Sequence, residues 1–492
     1  MFYYQKIIKM KINYKFITIA AIATTLLTSC KKELLTPIPQ TSIADISAFS
    51  TIPRVQGQLL SLYGALKHGN FYGGRFVIYG EIRGEDFINE TSNLVTGADV
   101  WNLNPTNSAS SVLGLWGQAF FTINVCNIFL DGMASGGSAI VGNTLSGNYI
   151  AEAKLIRALS YYSLLQYYAR PFADGMGNKP GVPLRLTGIK SGGQSSKARN
   201  TVAEVYTQIL KDLTEAEAGL PLTNTGSENT TRAHRNTAIA LKTRVYLSMQ
   251  QYSNVVTEAN KIVSATAPFS AGSGVAHALQ PNIATVFTNY TTLESIFSLP
   301  MTSTDGDNPG TQNQLGYYFA KTSGNAEFSL NVNGIIADAK WLPTDKRRSF
   351  IATSGTKQFL NSKYPTAAPF TDYVPVIRYA EVLLNLAEAK VRDNKTIDIQ
   401  AIALLNAVRN RSDATTIFTV ANFATYTDLI NAILNERRIE FLGEGLRNND
   451  LMRLLQTLPA KGSAQSKSPS DVGYIWPISA TELSLNKLCT DN

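Results

Sequence analysis

Histidine and cysteine, the usual carriers of metal and redox chemistry, are scarce in this chain, with three of each. His68, His234 and His277 stand far apart, and neither an HExxH motif nor a Cys/His ligand spacing occurs. Cys126 and Cys489 lie among apolar or small neighbours, which does not indicate a disulfide framework and leaves open whether they pair. A nucleotide-binding Gly-rich loop and a Gly-x-Ser-x-Gly elbow are both missing. Blocks of five or more like charges are missing too, so the formal net charge of +8 is too scattered for a nucleic-acid binder. Asp305-Gly306-Asp307 offers carboxylates to Ca²⁺ but lacks the later acidic ligand of an EF-hand loop, and it reads as a surface turn. No cofactor is expected.

The N-terminus is informative in a different way. Met1 to Ser29 holds Lys6, Lys9, Lys11 and Lys15 and no acidic residue, followed by the apolar run Phe16 to Leu27. Twelve apolar residues fall short of the roughly 20 that span a bilayer as a helix, but they suit the core of a signal peptide. Leu27-Thr28-Ser29-Cys30 looks like a lipobox, with Cys30 the residue to be lipidated and left first after cleavage. Acylation then replaces a transmembrane anchor. Loss of the four lysines halves the net charge of the mature chain.

We divide the sequence into a signal peptide (1–29), a lipidated tether (30–50) and one domain (51–492). Within the domain, apolar residues repeat at helical spacing in several stretches. Val55, Leu59, Leu62, Ala65 and Leu66 form one face, and Ala151, Leu155, Ala158, Tyr162 and Leu165 another. Leu115 to Met133 reads as a helix and Gly69 to Gly84 as a loop or short strand. Thr201 and Glu204 form a capping-box pattern. Helices at 237–249 and 253–264, at 376–392 and 398–410, and at 427–442 and 446–458 are close enough in sequence to form antiparallel hairpins. Three hairpins of about 30 residues suggest degenerate tetratricopeptide-like packing. Residues 267–372 break this rhythm with Gly, Ser, Thr, Asn and short β-like runs, and loops on a rigid scaffold are where binding surfaces sit. The fold expected is mostly α, with loop-rich insertions and few short strands.

Around the helix of the 373–492 region, Ile377, Ala380, Leu384, Ala387 and Val391 make a core-facing stripe, with Pro375 at the entry and Arg378, Glu381 and Glu388 off it. Its word IRYAEVLLNLAEA resembles the most recognisable helix of the SusD/RagB family. Further resemblances follow the family's order: Trp116, Phe120 and Asn127 in one helix, KLIRALSYYSLLQYYARPF leading to Gly181-Val182-Pro183-Leu184, and the word carried by Glu436, Arg437, Arg438, Glu440, Phe441, Glu444, Gly445, Arg447, Asp450, Leu451 and Arg453. Phe441 stands where the family usually has Leu. The closing Trp476-Pro477-Ile478, Glu482-Leu483 and Asn486 complete the match.

That resemblance implies an outer-membrane lipoprotein, not an enzyme, that faces the cell exterior, binds an oligosaccharide and delivers it to a SusC-like TonB-dependent transporter. The alternatives are a tetratricopeptide-like adaptor for a protein segment, or a lipid-anchored glycosidase using Glu436 and Glu440. Two Glu at i,i+4 meet the separation of a glycosidase pair, but Arg437 and Arg438 between them favour buried ion pairing. Sugar rings present apolar C–H faces and polar rims, so exposed aromatics with hydrogen bonders nearby are the expected ligand contacts. Trp101 and Asn104 stand in a polar, Pro-interrupted segment whose W-x-x-N spacing is similar to a ligand-contacting loop of starch-binding relatives. Trp341, Tyr317 and Tyr318 occupy the long insertion.

Overall fold

The computed structural model describes residues 47–191, 196–304, 307–322 and 326–492. The signal peptide, Cys30, most of the tether and Asp305-Gly306 lie outside them. Eleven principal helices carry the architecture: α1 (Ile52–Leu66), α2 (Arg75–Ile82), α3 (Ser110–Gly132), α4 (Asn143–Tyr168), α5 (Val202–Gly219), α6 (Arg235–Ser248), α7 (Tyr252–Ala259), α8 (Tyr379–Asn394), α9 (Ile399–Ser412), α10 (Tyr426–Glu440) and α11 (Arg447–Arg453). Short helices and 3₁₀ turns fill the connections. Helix accounts for about 49% of the described residues, so the fold is mostly α.

The long helix α4 is the spine. From Leu155 to Tyr168 every side chain is buried, because α3, α5 and α1 pack around it. Such burial requires partners for its polar groups, and the tyrosines find them. Tyr161, Tyr167 and Tyr168 donate to the carbonyls of Arg185, Phe76 and Val112 at 2.7, 2.9 and 2.6 Å. Arg157 joins three helices at once, with two hydrogen bonds to Asp212 of α5 (2.8 and 2.7 Å) and one to Asn127 of α3 (2.8 Å). The capping box of Thr201 and Glu204 opens α5 as its sequence pattern predicts.

The hairpins α6–α7 and α8–α9 pack side by side, and α10 lies against α8 and α9. Among the described residues, three two-stranded antiparallel ladders join the helices: β1 (Phe87–Asn89) with β3 (Phe328–Leu330), β2 (Ser295–Leu299) with β6 (Val374–Arg378), and β4 (Ala352–Ser354) with β5 (Lys357–Phe359). Two sequence readings are corrected here. Val374–Arg378 is a strand and not the first turn of the helix; Pro375 faces Ser298 next to a register irregularity, one of the few ladder positions a residue without an N–H tolerates. Arg75–Ile82 is a helix and not a loop. All eight of its residues are buried, so no amphipathic stripe marks it.

Chain positions far apart in sequence are joined by buried polar contacts. The Arg83 guanidinium donates to Asn448 Oδ1 at 2.8 Å and to the Tyr474 carbonyl at 2.7 Å. The Trp476 backbone N–H donates to the Tyr167 carbonyl at 2.7 Å, and the Trp476 ring packs against Tyr79, Tyr167 and Tyr168. Cys126 and Cys489 are both free thiols.

Candidate functional site

The C-terminal signature residues form a buried ionic core. Arg378, the residue before α8, pairs with Glu294 (2.5 Å), Glu440 (2.9 Å) and Glu444 (2.7 Å). Arg347 pairs with Asp345 (2.7 Å), Glu436 (2.6 Å) and Glu440 (2.9 Å). Arg411 bridges Glu294 and Glu440, Arg409 reaches Glu436, and Lys363 reaches Glu444. Five cations thus meet five carboxylates out of water, a stoichiometry that leaves no net buried charge. Glu381 and Glu388, which the spacing places off the apolar stripe of α8, form two-point pairs with Arg244 of α6 and Arg453 of α11. Arg378 and Glu381, three residues apart, thus each take long-range partners. Helix α8 is therefore buried on its ionic side as well as its apolar one.

This arrangement decides the chemistry of Glu436 and Glu440. Both side chains are fully buried, share the Arg347 guanidinium and line neither cavity described below. Burial acts to raise the pKa of Glu440, but Arg411, Arg378 and Arg347 outweigh it and hold the carboxyl well below its usual range. A glycosidase acid needs the opposite shift. The pair is structural.

Two concave surfaces remain as candidate ligand sites. The first is a cleft of about 560 Å³ between the Pro105–Asn107 segment, Arg170 and the 470–477 loop. Its polar groups include Thr106, Asn107, Arg170 and Asp471, and its apolar ones Val472, Ile475 and Pro477. Arg170 is fixed from two sides, by Asp174 at 2.5 Å and by the Tyr474 ring 5.0 Å below. Asp471 accepts the Ser468 N–H at 2.7 Å, which lowers its pKa and keeps it an acceptor. The second is a groove of about 460 Å³ along the outer face of α10, walled by Lys340 and Leu342 and floored by Phe418 and Phe423. Both volumes fall in the range of about 300–1,000 Å³ typical of small-ligand sites.

The aromatic residues singled out in the sequence are largely inside. Trp101 is 5% exposed; it ends a one-turn helix (Ala98–Trp101) and donates its Nε1–H to the Phe87 carbonyl at 2.8 Å. Trp341 is 2% exposed beneath the Arg348 guanidinium, 4.1 Å from its ring centre. Tyr318 is buried and stacks on Phe328, while Tyr317 is half-buried against Phe370. Exposed rings are therefore not what Trp101, Trp341 and Tyr318 offer, because each finds an apolar or cationic partner within the fold. Asn104 is exposed and leads directly into the Pro105–Asn107 wall of the cleft. Lys340 and Leu342, on either side of Trp341, line the groove, so the two expected loops border separate cavities. The groove residues of α10 escaped the sequence reading. Their signal was present: Asn431 and Asn435 are uncharged polar residues one turn apart, off the Leu429–Ile433 stripe.

Among known proteins, the chain matches the family described as "SusD family" over residues 353–492 and that described as "Starch-binding associating with outer membrane" over residues 60–247. A SusD superfamily protein of known structure from Bacteroides fragilis is 31% identical, covering 90% of this chain and 99% of its own, with a TM-score of 0.80. SusD-like protein P38 of Formosa agariphila is 22% identical, covering 95% of this chain and 96% of its own. A structure described as a laminarin-binding SusD-like protein shares the fold at 20% identity, covering 90% of this chain and 99% of its own, with a TM-score of 0.67.

Proposed function

We propose a function from one premise: the chain belongs to the SusD family. It is a glycan-binding lipoprotein of the outer membrane, held by acylated Cys30, facing the cell exterior and passing its ligand to a SusC-like TonB-dependent transporter. The observation that carries the binding part is the family match over 60–247, whose description names starch binding and the outer membrane. The laminarin-binding relative adds a second glycan within the same fold. The ionic locking of Glu436 and Glu440 supports capture without hydrolysis.

The ligand face we favour is the cleft beside Asn104. Its amide, hydroxyl, guanidinium and carboxylate groups surround an apolar wall, a combination that suits sugar hydroxyls and C–H faces. Trp101 supports this face from below by fixing the segment that leads to Asn104.

Calorimetry of the purified mature chain against a glycan panel, with a reducing-end assay run in parallel, tests the reading. Saturable binding without release of reducing ends is the expected result. Release of reducing ends, or selective binding of peptides over every glycan, would overturn it. Extraction of the native membrane in mild detergent is expected to recover the chain with a large β-barrel transporter; recovery alone at full yield counts against the partner.

A further inference from the structure

We infer that the groove along α10 is a second saccharide-binding site, separate from the cleft beside Asn104. The inference rests on the glycan-binding reading and adds a location, a set of contacts and a stoichiometry to it.

The groove is built on a segment with little regular structure, 413–425, that side chains nevertheless hold rigidly. Asn406 of α9 clamps Phe418 by both backbone groups, accepting its N–H at 2.9 Å and donating to its carbonyl at 2.8 Å. Thr419 and Asn422 form a capping box around the next turn, and Thr425 with Asp428 forms another at the start of α10. Asp413 accepts the Thr415 hydroxyl at 2.6 Å. The rings of Phe418 and Phe423 lie 5.8 Å apart at an interplanar angle of 31°; Phe423 is buried and backs Phe418, which is half-buried and supplies the apolar platform of the groove. A platform fixed before binding loses little entropy when a ligand settles on it.

Above this platform stand Asn431 and Asn435, one turn apart on α10. Neither side-chain amide has a hydrogen-bond partner among the described residues, although both border the cavity. Each offers an acceptor oxygen and two donor hydrogens, the pattern that neighbouring sugar hydroxyls complement. The same two residues border a second depression of about 200 Å³ that continues past Arg438 and Gln456. Arg438 and Arg447 are occupied there by Glu85 and Asp86, so the extension is polar without being an anion trap. At the near end, Lys340 and Asp428 bring opposite charges to the wall. A neutral, hydroxyl-rich, elongated ligand fits this distribution better than a phosphate, a polyanion or a helix with an apolar stripe. A linear oligosaccharide has that chemistry, with a ring face on Phe418 and hydroxyls on the amides.

Two sites on one rigid body also predict how chain length matters. A short oligosaccharide fills either site, whereas a polysaccharide that engages both gains from effective concentration without any new contact.

The test is calorimetry with malto-, laminari-, xylo- and mannohexaose, followed by the parent polysaccharide of whichever binds. The wild-type chain is expected to take two hexasaccharides. Asn431→Ala/Asn435→Ala, two changes on a solvent-facing helix side, is expected to take one, with melting unchanged and polysaccharide affinity lowered about tenfold or more. Asn104→Ala/Asn107→Ala is expected to remove the other site. A stoichiometry of one that only the Asn104/Asn107 variant abolishes would overturn the second site and leave the glycan-binding reading intact. A stoichiometry of two that the Asn431/Asn435 variant leaves unchanged overturns it as well. Failure of every hexasaccharide to bind overturns the underlying reading and this site with it.

Discussion

Replacing Glu440 with Gln keeps the shape of the ionic core and removes one charge from its centre. The carboxylate touches Arg347, Arg378 and Arg411, and its side chain is out of water. An amide can accept hydrogen bonds but cannot balance three guanidinium groups, and its own N–H₂ would face at least one of them. Leaving buried charge uncompensated costs about 3–5 kcal/mol. Unfolding entropy near 2.1 cal/mol/K per residue gives about 0.9 kcal/mol/K for a folded body of roughly 440 residues. The expected fall in Tm is therefore about 3–5 °C, measured by calorimetry at pH 7 and low scan rate. Glycan affinity should persist, since Glu440 lines neither cavity. An unchanged Tm would refute the stabilising role assigned to this carboxylate. A stable variant that loses a measurable hydrolytic activity would restore the glycosidase alternative.

Three further outcomes are expected. His234 and His277 stack 5.2 Å apart in the interior, with Tyr379 beyond His277. Burial, with a smaller contribution from the His277 charge, lowers His234 to about 3, and burial lowers His277 to about 4. The unfolded chain thus binds more protons between about pH 3 and 6.5, so stability is full above 6.5 and falls as pH drops through that window, by several kcal/mol in all. Tm measured between pH 7 and 5 should decline, and His234→Asn/His277→Gln should flatten the decline; an equal slope in that variant would sink the assignment. Trp101→Ala should cost about 3–5 kcal/mol of stability, on the scale of other buried aromatic truncations, and unchanged denaturant unfolding would show the ring to be dispensable to packing. Cys30→Ser should yield a precursor without lipid mass by mass spectrometry, and a normally acylated product would end the lipobox reading.

Sequence periodicity reported the helices whose surroundings differ from side to side. The stripe of α1, the start of α5 and the pairs α6–α7 and α8–α9 are legible because one face meets solvent or a cap has a local partner, whereas the third expected hairpin does not close: α11 packs chiefly on α2, α6 and α4 rather than on α10. Periodicity failed where burial is uniform. In α2, Arg75 and Glu81 sit inside with the apolar residues, and in Val374–Arg378 both strand faces are covered, so neither segment alternates. Trp101 was misplaced for another reason: a helix of one turn is too short to display a period, and its polar neighbours gave no hint that Phe87 would receive the indole. The ionic residues of α8 stood in plain view, but partners such as Arg244 and Arg453 are long-range and no local rule pairs them. The cavity beside Asn104 was half visible as a loop, whereas the α10 groove depends on how 413–425 folds over a helix that looks ordinary in sequence.

The buried contacts of Arg83 bear on the order in which the chain assembles. Its guanidinium meets the Tyr474 carbonyl across 391 residues, and the Trp476 backbone N–H meets the Tyr167 carbonyl. Arg83 is thus a desolvated cation whose acceptors are made 365 and 391 residues later. Contacts of such long sequence separation form late, because the loop-closure entropy falls due before they contribute. Until the Tyr474–Ile478 strip arrives, α2 and the end of α4 lack one wall, and water retains access to Arg83. The early helices can collapse against one another, but the seal waits for Tyr474–Ile478, so closure of this part of the core follows synthesis of a segment 391 residues beyond Arg83.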